Sequence, residues 1–122
     1  MSGLGSVLVL GGGGWVGSAL VLQLLRRKQE LGVTALTLAD LPRAPRLPWL
    51  RAKAEAAGLV ERALDVCDPE AVQRLFEELR PRTVFNLAAV IDMRPEVCVR
   101  RMEAVNALAV DSLLRAAEEV SA

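Results

Sequence analysis

The chain has no histidine and no tyrosine, two cysteines, and only two tryptophans and two phenylalanines as aromatic residues. Without histidine, and with Cys67 and Cys98 too far apart for a CxxC pair, the usual transition-metal ligands are missing. No metal site is expected. The two thiols read as small, buried, reduced side chains, which fits a cytoplasmic location. Net charge is missing too, since fifteen basic residues cancel fifteen acidic ones. A balanced chain poor in aromatics offers no electrostatic footprint for nucleic acid or for an anionic membrane. Internal repeats and low-complexity segments are absent as well.

What the chain has is apolar residues. Leu, Val and Ala raise the hydrophobic share to 52% of 122 residues, enough for one packed core. A single domain spanning residues 1–122 is expected.

The first 25 residues carry no charge, and Gly13-x-x-x-Gly17 has small-residue spacing, so a membrane span is one rival reading. Four consecutive glycines oppose it, each costing a helix about 1 kcal/mol relative to alanine. A secretory leader would need a basic start, which is not there.

The same stretch reads better as strand, turn and helix. Ser6 to Leu10 is a short apolar strand, Gly11 to Gly14 a turn, and Trp15-Val16-Gly17 the first helical turn. Two glycine patterns overlap in it: Gly11/Gly14/Gly17 and Gly12/Gly14/Gly17. Glycine admits positive φ and lets a ligand approach the backbone without meeting a Cβ. The helix behind it points unpaired N–H groups and partial positive charge at the same place, which suits a pyrophosphate.

Downstream, Gly17, Leu20, Val21, Leu24 and Leu25 fall at helical spacing, and Gly32 stops the helix. Val33 to Ala39 is a second strand closed by Asp40, which lies 23 residues after Gly17. A carboxylate there can accept from both hydroxyls of an adenosine ribose and repels a 2′-phosphate, favouring NAD over NADP. The plainer alternative is that Asp40 merely ends its strand. Leu41 to Pro48 is a proline-rich loop, and Pro48 to Ala57 has room for a short helix.

Leu59 to Leu64 forms a third strand. Asp65 follows at its carboxyl end, where open α/β sheets bind ligands, though a plain loop acid fits equally. Asp68 as N-cap and Pro69 at the first helical position start a helix with Val72, Leu75, Phe76 and Leu79 inside. Thr83 to Ala89 is a fourth strand and its exit. A long helix then runs from Pro95 to about Glu119, burying Met102, Val105, Ala109, Leu113 and Ala116. Asn106 lies at the edge of that stripe, either bonded to strand or ligand or half-exposed.

The expected fold is α/β: a Rossmann-type parallel sheet with strand order 3-2-1-4, stopping before the second half is complete. Its fourth strand would leave an open edge, so self-association is expected.

These segments resemble the N-terminal part of the extended short-chain dehydrogenases/reductases, the NAD-dependent epimerases and dehydratases. The likeness is carried by Val7–Gly17, by Leu64–Pro69, by Asn86-Leu87-Ala88-Ala89 and by Val105-Asn106. The run Ala88-Ala89-Val90-Ile91-Asp92 looks most like the 3β-hydroxysteroid dehydrogenase/isomerase branch. The resemblance implies that Gly11, Gly14 and Gly17, with Trp15 and Val16 between them, hold the pyrophosphate of NAD. It assigns Asp40 to the adenosine ribose, Asp65 and Val66 to the adenine, Ala88 and Ala89 to the cofactor wall, and Asn106 to a supporting catalytic role.

The implied function is an NAD(P)-dependent oxidoreductase acting on a sterol-like alcohol, represented by its cofactor half. The alternative is a non-catalytic dinucleotide-binding sensor or scaffold. Two positions depart from the family's pattern: Leu10 stands where threonine is usual, and Ala109 and Val110 stand where glycine and threonine are common. The family's Tyr-x-x-x-Lys pair, whose tyrosine moves the proton, cannot be drawn from a sequence without tyrosine. Turnover by these residues alone is not expected, and a small-molecule substrate would need a C-terminal part.

Overall fold

The computed structural model of the chain describes residues 3–11, 15–41, 58–88 and 99–121. Backbone contacts divide the chain into two compact units, Met1–Ala63 with Pro81–Leu87, and Leu64–Arg80 with Ala88–Ala122.

The first unit is a parallel sheet. Strands β1 (Gly5–Leu10), β2 (Val33–Asp40), β3 (Val60–Ala63) and β4 (Thr83–Asn86) lie in the order β3-β2-β1-β4. All three pairings are parallel, as expected. β1 sits inside the sheet with Val7 to Leu10 almost wholly buried, which is why it reads as an unbroken apolar run. Order reverses beside β1: its next strand in sequence lies on one side and β4 on the other. That makes the carboxyl end of β1 the switch point of the sheet.

Helix α1 (Trp15–Arg26) follows β1, and its buried residues Val21 and Leu24 join Val7, Val9, Val33, Leu36, Leu38 and Leu59 in one core. Leu20 and Leu25 pack half-buried at the margin of that core. The expected helix runs unbroken to Gly32, but α1 breaks at Arg27 and resumes as α2 (Lys28–Leu31). Gly32 does end it, in the left-handed conformation at φ 66°. No helix among the described residues is long and apolar enough to cross a membrane, since part of the uncharged run is spent on β1.

The second unit is helical. Helix α3 (Pro69–Leu79) starts as its sequence dictates: the Ala71 N–H donates to Asp68 Oδ1 at 3.2 Å, with Pro69 at the first position. Val72, Leu75 and Phe76 are buried, while Leu79 is only half-buried. Helix α4 (Val99–Glu103) passes through a π turn (Ala104–Leu108) into α5 (Ala109–Ser121). Val105, Ala109, Leu113 and Ala116 are the buried stripe, with Met102 half-buried. Helices α3 and α5 are neighbours, tied by Gln73 Nε2 donating to Glu119 Oε2 and by Arg80 Nη2 donating to the Val120 carbonyl at 2.8 Å.

The thiols correct one expectation. Cys67 is exposed, because it belongs to the turn that carries the chain from Asp65 to the Asp68 cap. Cys98 lies outside the described residues, as do the short helix expected over 48–57 and the first residues of the helix expected from Pro95.

Candidate dinucleotide site

The first unit brings Gly11 and Asp40 to one edge. Because every strand is parallel, Leu10 of β1, Asp40 of β2 and Asn86 of β4 all end on the same side of the sheet. Leu10 is in register with Ala39 on one flank and with Asn86 on the other.

Gly11 leaves β1 at φ 75°, a conformation that costs an L-residue about 1–2 kcal/mol. Its N–H donates to the Ala39 carbonyl at 2.9 Å, and the Leu87 N–H donates to the Leu10 carbonyl at 2.8 Å. The chain is thus clamped from both neighbouring strands at the point where it turns. α1 begins four residues later with no acidic residue in its first turn, so no carboxylate there offsets its dipole. Gly17 is buried in that first turn, while Val16 is 70% exposed. Gly12, Gly13 and Gly14 lie outside the described residues, and so does the side chain of Trp15.

Asp40 is half-buried at the last position of β2, opposite Ala63 of β3. Its Oδ1 accepts the N–H of Leu41 at 2.7 Å. Sequence reading reached Asp40 but not this bond, because a backbone donor leaves no mark on residue identity. The same holds for the Leu87 N–H.

The second unit carries the other expected residues. Asp65 is exposed, its Oδ1 accepting the Cys67 N–H at 2.9 Å and its carbonyl the Asp68 N–H at 3.0 Å. Val66 beside it is 8% exposed. Ala88 is half-buried, and Ala89 lies outside the described residues. Asn106 sits in the π turn and is exposed, which is the open alternative for it rather than the buried amide. Val105 before it and Ala109 after it are buried as expected, and the Ala109 N–H reaches the Ala104 carbonyl five residues back, so the turn that carries Asn106 is wider than an α-turn. Among the described residues there is no group of three or more His, Cys, Asp or Glu side chains able to hold a metal ion.

The residues at the sheet edge fit a dinucleotide. A left-handed glycine ends β1, the first turn of α1 carries no acidic residue, and a carboxylate ends β2, all beside the switch point where open α/β sheets bind ligands.

Comparison with known proteins points the same way. Residues 7–122 match the family model described as "NAD dependent epimerase/dehydratase family". The chain is 31% identical over 83 residues to dTDP-glucose 4,6-dehydratase of Salmonella typhimurium, an alignment covering 68% of this chain and 22% of that enzyme. It is 36% identical over 92 residues to UDP-glucose 4-epimerase 1 of Oryza sativa subsp. japonica, covering 71% and 25% respectively. Among solved structures, the UDP-glucose 4-epimerase of Thermus thermophilus in complex with NAD superposes with a TM-score of 0.71 at 32% identity. That match covers 95% of this chain and 34% of that one. The chain therefore spans between about a fifth and a third of the length of these relatives. They are named for nucleotide sugars and not for hydroxysteroids, the branch expected from the run Ala88–Asp92, which lies outside the described residues from Ala89 on. With the glycine turn at the switch point of a 3-2-1-4 sheet and the family match over residues 7–122, the chain belongs to the NAD dependent epimerase/dehydratase family.

Proposed function

We propose that the chain is the NAD-binding part of an oxidoreductase of the epimerase/dehydratase type. The observation that carries this reading is Gly11, left-handed at the end of β1 and hydrogen-bonded to the residue that precedes Asp40. Gly11, Gly14 and Gly17, with Trp15 and Val16, hold the pyrophosphate against the N-terminus of α1. Asp40 accepts the adenosine-ribose hydroxyls, Asp65 and Val66 meet the adenine, Ala88 and Ala89 line the cofactor, and Asn106 has a supporting catalytic role. NAD, when bound, supplies the hydride chemistry.

The substrate class this reading favours is a nucleotide sugar, because the dehydratases and epimerases that are more than 30% identical to this chain are named for such sugars. A sterol-like alcohol is the second reading, supported by the run Ala88–Asp92. In either case the residues of this chain position and bind the cofactor, while a proton relay by tyrosine lies outside a sequence that has none. A dinucleotide-binding module without turnover is the competing function.

Calorimetric titration of the chain with NAD and NADP, together with a turnover assay, tests the reading. Saturable binding of NAD, tighter than of NADP, is expected. Asp40→Ala should weaken NAD more than NADP. No binding by a folded chain, or equal losses for both coenzymes, would overturn the assignment.

A further inference from the structure

The outer side of α5 presents an apolar ridge to solvent. Leu114 is 65% exposed, and Val110 and Ala117, both half-buried, flank it at helical spacing. α3 packs on the other flank of α5, where Glu119 accepts from Gln73. One turn beyond Leu114 on the exposed side stands Glu118, whose carboxylate has no ion pair among the described residues.

The chain's balance of charge is uneven between its two units. The sheet unit holds nine Lys and Arg against four Asp and Glu, and the helical unit six against eleven. The ridge on α5 therefore belongs to a unit with an acidic excess, and α1 to one with a basic excess. On α1, Ala19 and Arg26 are exposed and Leu22 is half-buried, three positions that share one side of a helix. Arg26 has no ion pair among the described residues either.

We propose that the outer face of α5 docks on the outer face of α1 in a second copy of this chain, with Leu114 against Ala19 and Leu22 and Glu118 against Arg26. The step from Leu114 to Glu118 is one helical turn, and so is the step from Leu22 to Arg26. Two helices running side by side in the same direction thus bring the apolar pair and the charged pair together at once. Ala117 and Ala19 are small enough for the helices to approach closely. The opposite excesses of the two units favour this encounter at long range. Pairing α5 with α5 would instead bring the acidic margins, Asp111 and Glu118, of both copies together, where like charges repel. Because each copy carries both faces, a pair related by a two-fold axis makes the contact twice.

Sedimentation of the full 122-residue chain tests this. A dimer is expected at about 0.01 M salt, dissociating toward about 1 M, where charges are screened within a few ångströms. Glu118→Lys and Arg26→Glu should each weaken dimerisation roughly tenfold at low salt. The double variant, which exchanges the two signs, should recover most of the loss. Leu114→Ser should weaken it by a similar factor. A monomer at every salt concentration overturns the inference. So does a dimer indifferent to salt and to both reversals, which would assign the contact to an apolar surface alone. A double variant no better than the single ones overturns the pairing of Glu118 with Arg26. Should a reversal fail to fold by circular dichroism, Glu118→Gln and Arg26→Gln take its place. Each should weaken the dimer by a smaller factor, and parental association in both would overturn the inference.

Discussion

The Gly11 N–H donates to the Ala39 carbonyl oxygen across 2.9 Å, joining the turn after β1 to the residue before Asp40. One backbone bond thereby sets the distance between the phosphate end and the ribose end of the proposed site. Directly past that N–H the chain turns, with Gly11 in the left-handed conformation at φ 75°.

Replacing Gly11 by alanine puts a Cβ on that conformation and should destabilise the chain by about 1–2 kcal/mol. Gly11→Val, β-branched, should cost more. Urea titration measures both. If stability falls by less than the error of the extrapolation, Gly11 does not hold the conformation described. NAD affinity should drop further than stability alone explains, since the backbone moves away from the phosphates.

Asp68→Ala tests the start of α3. Asp68 Oδ1 takes the Ala71 N–H, one of the donors a helix leaves unpaired at its first turn. Losing that cap should cost about 1 kcal/mol, and Asp68→Asn, which also caps, should recover most of it. An equal loss from both variants would show that the carboxylate's charge, and not its hydrogen bond, stabilises the helix.

Among the described residues Phe76 is the largest fully buried side chain, at 0% exposure, and lies on the inner face of α3. Phe76→Ala should cost about 3–5 kcal/mol and threatens folding outright. Phe76→Leu, which leaves a smaller void, should fall well short of that. A denaturation midpoint unchanged in Phe76→Ala would contradict the burial.

Much of this was legible in the sequence, and what was not had no side-chain signal. β1 declared itself as an apolar run ended by glycines, α3 by Asp68-Pro69 before a helical stripe, and strand order followed from the alternation of strands and helices. The break at Arg27 did not, because Arg26, Arg27 and Lys28 are all good helix formers and nothing in their propensities marks a stop. Asn106 was placed at the edge of the helical stripe, and the π turn over Ala104–Leu108 that carries it has no mark in residue type. Cys67 was assigned to the interior from the average habit of cysteines, whereas its position in the Asp65–Asp68 turn exposes it. At the nucleotide edge the glycines and Asp40 were readable as residue types. The donors of Leu41 and Leu87 were not, since every residue but proline has one.

The break at Arg27 supplies the last prediction. Arg27 Nε and Nη2 each donate to Glu30 at 2.8 Å, a paired bridge spanning the junction of α1 and α2. The hydrogen bonds from Arg27 first, and then its charge, hold the Glu30 carboxyl below its ordinary pKa. A lowered carboxylate pKa stabilises the folded chain above the unfolded-state value, and that contribution is lost as pH falls through the folded one. Arg27 is shifted upward by the same contact, but it stays charged throughout the accessible range. The acid limb therefore belongs to Glu30. Both side chains are at least half exposed, so the effect is small and weakens with salt. Glu30→Gln should melt below the parent chain near neutral pH, and the gap should close in acid as pH falls through the lowered folded-state pKa and the parent carboxyl is protonated too. A gap that stays the same size from neutral pH into acid would assign the stabilisation to packing of the side chain rather than to the ion pair.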